Sequence, residues 1–372
     1  MNFSLYKQKE LSGRYITLNH ITPILNTLPS YIEKTQIGVS VNSLPIYKLK
    51  LGTGSKKILM WSQMHGNEST TTKAVFDLLN FLDSPEVKSK LILENCEIHI
   101  IPILNPDGSQ AYTRVNYNNT DLNRDAQLLS QPESKVLKSA YSDIKPDFCF
   151  NLHGQRTIFN PKGFSKPATV SFLAPSADID KNITPARKKA MELIVAMNAF
   201  LQLKIPNQVG RYDDGFNLNC VGDTFQSLNS PTILFEAGHY PNDYERETTR
   251  EFIWHSLVVA LEYIATKPVN KDKVREYFEI PENEKLFFDI IIKNLPIKEE
   301  GDILYKEVAV QYKEKLVDDK VIFEPEIKGI GDFKNYFAHA KMDCSDYQMN
   351  AFYLNDLDNF WISAFLKDYQ LK

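Results

Sequence analysis

The chain has 372 residues, 43% hydrophobic and 24% charged, with 43 Lys and Arg against 47 Asp and Glu, a net charge of −4. This composition excludes a disordered, collagen-like or membrane-spanning class, and the near-neutral charge argues against a general nucleic-acid binder or a polybasic membrane protein. The length suggests two domains, or one large domain with an appendage.

The amino-terminal MNFSLYKQKELSGRYITL lacks the apolar stretch of a signal peptide. No apolar run approaches the roughly 20 residues needed to cross a bilayer, so cytoplasmic residence is the expectation. From Lys56, KKILMWSQM reads as a buried strand that ends in HGNE. TTTKAVFDLLNFL then reads as a helix, with Ala74, Leu78, Leu79 and Leu82 at helical spacing. CEIHIIPIL is a second strand, followed by NPDG as a turn and a polar loop through Asn116 to Thr120. A helix is expected near Pro132–Ser142, and PDFCFNLHG and SPTILFEAGHY read as two more buried strands. A long helix covers about Glu245–Thr266. Near-continuously apolar strands alternating with helices indicate an α/β domain with a largely parallel or mixed sheet.

Beyond Ala265 the pattern changes. TKPVNKDK reads as a linker, placing a boundary near Lys267–Lys273. KLFFDIIIKN, YKEVAVQYKEKLV and KVIFEPEIK then alternate apolar and polar residues, as half-buried strands do. The expected division is 1–267, with a catalytic core at about 56–266, and a β-rich accessory domain over 274–372. The aromatics of that domain (Phe287, Phe288, Tyr305, Tyr312, Phe333, Tyr336 and Phe337) are expected in its core. The four cysteines form no Cys-x-x-Cys pair, which excludes a cysteine zinc knuckle, and Cys96 and Cys149 read as buried reduced thiols.

Four clusters carry candidate chemistry. His65 and Glu68, at the end of the first strand, supply the ligand types that a borderline cation such as zinc accepts. Taken alone, they read more readily as a surface pair. His153 ends the third strand, and the carboxyl ends of strands in an open α/β sheet are where ligands bind. Its position shifts the balance, because three protein ligands leave a fourth zinc position open, the catalytic arrangement. Glu236 ends the fourth strand, where a general base near the metal or a structural ion pair would each explain a buried carboxylate. In the loop, Arg124 can grip a carboxylate bidentately with Asn123 adding an amide donor, while Arg114 can face a developing oxyanion. Two solvated surface arginines would look the same.

The ordered set His65-x-x-Glu68, Asn105-Pro-Asp-Gly108, Arg114-x-Asn116, Asp121-Leu-Asn-Arg124, His153 and Glu236 resembles the zinc metallocarboxypeptidase family, nearest its bacterial branch. The resemblance covers about Lys56 to Thr266. It implies a mixed, mostly parallel eight-stranded sheet flanked by helices, with one zinc ion held by His65, Glu68 and His153. It also implies Glu236 as general base and Arg114 as the residue that polarises the scissile carbonyl. Asn123 and Arg124 would then bind the terminal carboxylate of a peptide or small amide substrate. The sequence departs from the family where Asp125-Ala126 follows Arg124 in place of the usual Asn-Phe or Asn-Trp. Tyr212, in the poorly matching GRYDDGF, is the nearest candidate for the tyrosine that closes over the carboxylate, and it reads equally as a surface loop residue. Asp223 would favour a basic side chain, with Val221 or Gly222 alternative bases for that pocket. His239 is the histidine expected to border the site, and His255 and Trp254 read as packing.

A zinc amidohydrolase of N-acyl amino acids, resembling the aspartoacylase and succinylglutamate desuccinylase group, is the alternative. It shares the His-x-x-Glu and Asp-Leu-Asn-Arg elements and a β-rich carboxyl-terminal domain. NPDG and the Arg114–Asn116 spacing favour the carboxypeptidase. A binding module that kept only the fold should have lost a ligand or the base, and here all are present.

Overall fold

The computed structural model describes residues 1–368. Two units are distinguished: Met1–Gln155 with Pro161–Asn283, and Arg156–Asn160 with the chain from Glu284 onward. This division falls later than the expected linker at 267–273. The reason is a short helix over Val274–Phe278 whose fully buried Tyr277 joins the core of the first unit, its hydroxyl accepting the Ala174 N–H at 3.0 Å.

The first unit is built on eight strands: β1 (Glu33–Val39), β2 (Pro45–Leu51), β3 (Lys56–Ser62), β4 (Cys96–Ile101), β5 (Phe148–Gly154), β6 (Val170–Leu173), β7 (Val209–Arg211) and β8 (Thr232–Ala237). Their order is β1-β2-β4-β3-β5-β8-β6-β7. The pairs β4–β3, β3–β5, β5–β8 and β6–β7 are parallel, while β1–β2, β2–β4 and β8–β6 are antiparallel. The sheet is therefore mixed and mostly parallel. Helices cover both of its faces, which is why the central strands are continuously apolar. Along β3 the side chains alternate between two cores: Ile58 and Met60 enter the larger, Leu59 and Trp61 the smaller. Truncating Trp61, fully buried, costs on the order of 3–5 kcal/mol.

Helix α1 spans Leu18–Asn26, and α2 spans Thr70–Leu82, over the residues that the apolar spacing predicts. It packs with α3 (Val87–Asn95), and NPDG, expected as a turn, opens α4 (Pro106–Ala111). Asn105 caps α4 by accepting the Gly108 N–H at 2.8 Å, and Pro106 occupies the first turn, both ordinary helix-start chemistry. The unit continues with α5 (Pro132–Ile144), α6 (Pro185–Gln202), α7 (Val221–Ser227) and α8 (Glu247–Thr266). The start of α8 is capped by Asp243, whose carboxylate accepts the N–H groups of Glu247 and Thr249, both at 2.8 Å. The Val274–Phe278 helix is α9.

The second unit has β9 (Phe287–Glu299), β10 (Asp302–Val317) and β11 (Lys320–Gly331) as an antiparallel meander. Its hairpins turn at Glu300-Gly301 and Asp318-Asp319, where all four residues take positive φ, the conformation that matches strand twist. β12 (Phe337–Asp343) and β13 (Phe352–Tyr353) run parallel to β9. The core is chiefly aliphatic, with Ile290, Ile292, Leu295, Val308 and Val310 joined by Phe365 and Leu366 of α10 (Asn359–Asp368). The expected aromatic core is thus corrected. Only Phe287 of those seven residues is buried; Tyr305 is 70% exposed, and Phe288, Phe333 and Tyr336 form a partly exposed cluster. Residues 156–160 join this unit through Thr157, whose hydroxyl accepts from Gln311 at 2.7 Å and whose carbonyl lies 2.9 Å from His339 Nε2. Among the described residues no helix is long and apolar enough to cross a membrane.

Candidate metal centre

The centre forms where β3, β5 and β8 end. After β3, Gln63 takes a left-handed φ of 43° in a fully buried position. Its amide offsets that strain by donating to Ile16 O (2.9 Å) and Gly66 O (2.8 Å) and accepting from Thr72 Oγ1 (2.8 Å). Gly66 allows no side chain, since a Cβ there would stand 1.9 Å from the Gly108 carbonyl carbon. The HGNE and NPDG motifs are therefore backbone-to-backbone neighbours. That contact explains Gly66, while Gly108 is held free of a side chain by the capping Asn105 and by Val115 O.

On this platform His65 Nδ1 lies 2.9 Å from Glu68 Oε1, and His153 Nδ1 lies 3.0 Å from Glu68 Oε2 and 3.0 Å from His65 Nδ1. The Gly154 N–H donates to Glu68 Oε2 at 2.9 Å, fixing the carboxylate at the end of β5. Both histidines are 2% exposed. Glu236 is the register partner of His153 across the β5–β8 pair, so both side chains leave the same face of the sheet. Its Oε2 is buried and has no hydrogen-bond partner among the described residues.

Asp121 organises the opposite side, a function that the motif alone does not reveal because its partner His65 is 56 residues away. Its Oδ1 lies 3.1 Å from His65 Nε2, its Oδ2 accepts from Arg114 at 3.1 Å, and its Oδ1 also accepts the Asn123 N–H at 2.9 Å. A second bond runs from Arg114 to Glu68 Oε1, at 3.4 Å. Asn123 Oδ1 accepts the Val221 N–H at 3.0 Å, joining the Asp-Leu-Asn-Arg turn to α7. Arg124 is exposed, with its NH1 donating to Asn123 O at 2.7 Å. Asn116 is buried and structural, donating to Gln131 (2.9 Å) and Glu133 (3.2 Å). Asp125, where the family pattern fails, is a loop clasp that accepts the Ser130 and Gln131 N–H groups.

Tyr212 follows β7, and its phenol is pushed far up, first by burial and then by the charges of Glu236 and Glu68. It is therefore a neighbour of the centre. Asp223 is buried on α7, and burial raises its carboxyl to about 6 against the opposing pull of the Asn217 N–H. His239 is buried and packs its ring on Tyr244, while Trp254 and His255 of α8 are buried with their rings tilted against each other. Cys96 and Cys149 are buried free thiols.

Two carboxylates of the centre diverge electrostatically. Burial disfavours the charge of Glu68, but His65 and His153 outweigh it and hold its pKa well below the usual range. Burial, reinforced by the Glu68 charge, drives Glu236 well above that range.

His65, Glu68 and His153 form a group that could hold a metal ion, their ligand atoms within 4.8 Å of one another. Two imidazole lone pairs and a carboxylate converging at 2.9–3.0 Å repel unless a cation or proton lies among them. Zinc ligands at about 2.0–2.1 Å in a tetrahedron stand roughly 3.3 Å apart, so the donors and their spacing fit zinc. The Asp121 contact at His65 Nε2 leaves Nδ1 as the ligating nitrogen, the usual outer support of a metal-bound histidine.

Fold and donor set together define an α/β protein with a candidate metal centre at the strand ends. Comparison with known families matches residues 18–170 to the zinc carboxypeptidase family. The chain is similar to Carboxypeptidase SOL1 of Arabidopsis thaliana, 28% identical over 174 residues that cover 41% of this chain and 35% of the plant protein. Its fold is similar to a metallo-carboxypeptidase from Burkholderia cenocepacia, with TM-score 0.53, 19% identity, and 65% and 67% of the two chains covered. A carboxypeptidase A-like structure from Shewanella denitrificans superimposes equally well, with TM-score 0.53, 20% identity, and 66% and 67% covered. The α/β unit is thus similar in sequence over residues 18–170, and in fold, to zinc carboxypeptidases. The chain spans about a third of the length of the curated relatives it matches.

Proposed function

We propose that the α/β unit is a carboxypeptidase that holds one zinc ion and hydrolyses the C-terminal amide bond of peptides or peptidoglycan-derived fragments. The observation that supports this reading most is the convergence of His65 Nδ1, Glu68 and His153 Nδ1 beside Glu236, whose Oε2 is buried with no partner among the described residues. His65, Glu68 and His153 hold the ion, and zinc bound there supplies Lewis acidity that polarises a carbonyl and acidifies water. Glu236 receives a proton at its carboxylate from the attacking water and returns it to the leaving amine. Its buried position suits the second step, because a carboxyl shielded from solvent holds a proton more readily than one in water.

Arg114, oriented by Asp121 and Glu68, stabilises the oxyanion. Asn123 and Arg124 bind the terminal carboxylate. With Asn123 Oδ1 committed to Val221, the Nδ2 amide is the donor for substrate. Tyr212 closes over that carboxylate from the end of β7. The buried free thiols accord with a cytoplasmic setting, and the partner is a small substrate rather than nucleic acid or membrane.

Glu236→Gln tests the reading directly. With zinc content equal to that of the parent, turnover of a free-terminus peptide should fall by about 10²–10⁴-fold. Retained turnover would remove Glu236 from the mechanism. Faster turnover of an N-acyl amino acid than of any peptide would move the assignment to the amidohydrolase reading.

A further inference from the structure

His153 and Glu236 lie on separate strands, so their spacing depends on whatever holds the ends of β5 and β8 together. The ladder itself ends there: Gly154 pairs with Ala237, and the Gln155 N–H donates to Ala237 O at 2.9 Å. One buried side chain continues it. Arg246, 2% exposed, donates from NH1 to Ala237 O and from NH2 to Gln155 O, both at 3.1 Å. One carbonyl follows Glu236 by a single residue, and the other follows His153 by two. The planar fork of a guanidinium suits two acceptors on adjacent strands, which a single ammonium could not bridge in the same way.

Arg246 is in turn fixed in place. It takes a left-handed φ of 59° immediately before α8, and its N–H donates to Asp243 O at 3.0 Å. The same Asp243 caps α8, so the helix start and the clasp form one rigid corner. Thr249 adds a bond to Gly238 O at 3.3 Å, holding the chain just after β8 against that corner. Arg246 donates to these main-chain carbonyls and its charge also acts on the Tyr212 phenol, while burial and Glu68 are the main influences on Glu236.

We propose that Arg246 is a positioning residue that sets the distance between the metal-binding end of β5 and Glu236 on β8. The inference rests on the zinc hydrolase reading above. Loss of the clasp lets the two strand ends drift by a fraction of an ångström, enough to misplace a base that must reach one water. Asn123 and Arg124, the principal substrate anchors, lie on another loop.

The test compares the full chain with Arg246→Lys and Arg246→Met, each loaded with zinc and, separately, with cobalt(II). The expected result is a kcat at least tenfold lower per metal-loaded protein, with KM within about twofold of the parent. Cobalt absorption bands should shift in both variants, and lysine should recover more kcat than methionine. Arg246→Lys keeps a cation in the cavity, so it reports even where Arg246→Met does not fold. A variant with lowered Tm but parental kcat and cobalt bands would overturn the proposal, because Arg246 would then only stabilise the fold. A parent that binds no metal or cleaves no substrate would instead overturn the hydrolase reading, and the cobalt bands separate the two failures.

Discussion

The two units use β-strands in opposite ways. In the α/β unit, β3, β5 and β8 are buried on both faces, and their polar residues gather at the strand ends, where His65, His153 and Glu236 converge. In the carboxyl-terminal unit, polar residues alternate along the strands, and charges pair locally, as in Lys315–Glu324 at 3.0 Å and Lys328–Glu326 at 2.6 Å. A charge beside its partner on an exposed strand is satisfied and has no further chemistry. A donor set at the end of a buried strand cannot be satisfied by water and must be satisfied by a ligand or a proton.

Breaking the metal centre should therefore give the largest effect. His153→Ala removes one of the three proposed ligands, and we expect stoichiometric zinc and all measurable turnover to be lost, read by metal analysis after gel filtration. Zinc retained at parental affinity would show that β5 does not supply a ligand.

Arg124→Ala sharpens the comparison within the α/β unit, because Arg124 is exposed yet assigned to substrate. A lost charge-assisted bond of about 1.5–3 kcal/mol corresponds to roughly a 10–150-fold lower kcat/KM. The loss should appear with a free-carboxylate substrate and fall mainly on KM. An unchanged KM would return Arg124 to the solvated surface.

Smaller effects separate buried from exposed charge. Burial disfavours the charge on Glu247, but Lys73, Lys7 and Arg250 outweigh it and hold its carboxyl at about 2, against the usual 4.5. Because the folded pKa is the lower one, this stabilisation is complete above about 4.5 and is lost as pH falls toward about 2. Glu247→Gln should cost roughly 1–3 kcal/mol at pH 7, less than a fully buried pair, and flatten the acid limb of stability. Lys315→Ala, on the exposed hairpin, should change stability by no more than about 0.5 kcal/mol. Thermal melts from pH 7 to 3 check both; equal effects would erase the distinction between the units.

The parts of the fold legible in the sequence are those where local pattern and tertiary role agree. β3, β5 and β8 are continuous apolar runs, and α2 occupies the residues given by its spacing. β1 was not legible because EKTQIGV is an exposed edge strand with a mixed pattern, and β7 has only three residues. NPDG reads as a turn in sequence, although it opens α4, because its Asn and Pro suit a turn as well as a helix start. At the site, the proximity of His65, Glu68, His153 and Glu236 was legible from strand ends and motif order. Asp121 could be found only as part of a motif, since its contact with His65 spans 56 residues. Arg246 left no signal at all, because its acceptors are main-chain carbonyls that any sequence supplies.

The central claim is cleavage of one residue from a free carboxyl terminus at a zinc centre in the α/β unit. Mass spectrometry of the zinc-loaded chain with a peptide and its C-terminally amidated twin tests it most directly. The account predicts a product one residue shorter from the free acid only, with none after chelation of the metal. Equal cleavage of both peptides, or cleavage that survives metal removal, would contradict it.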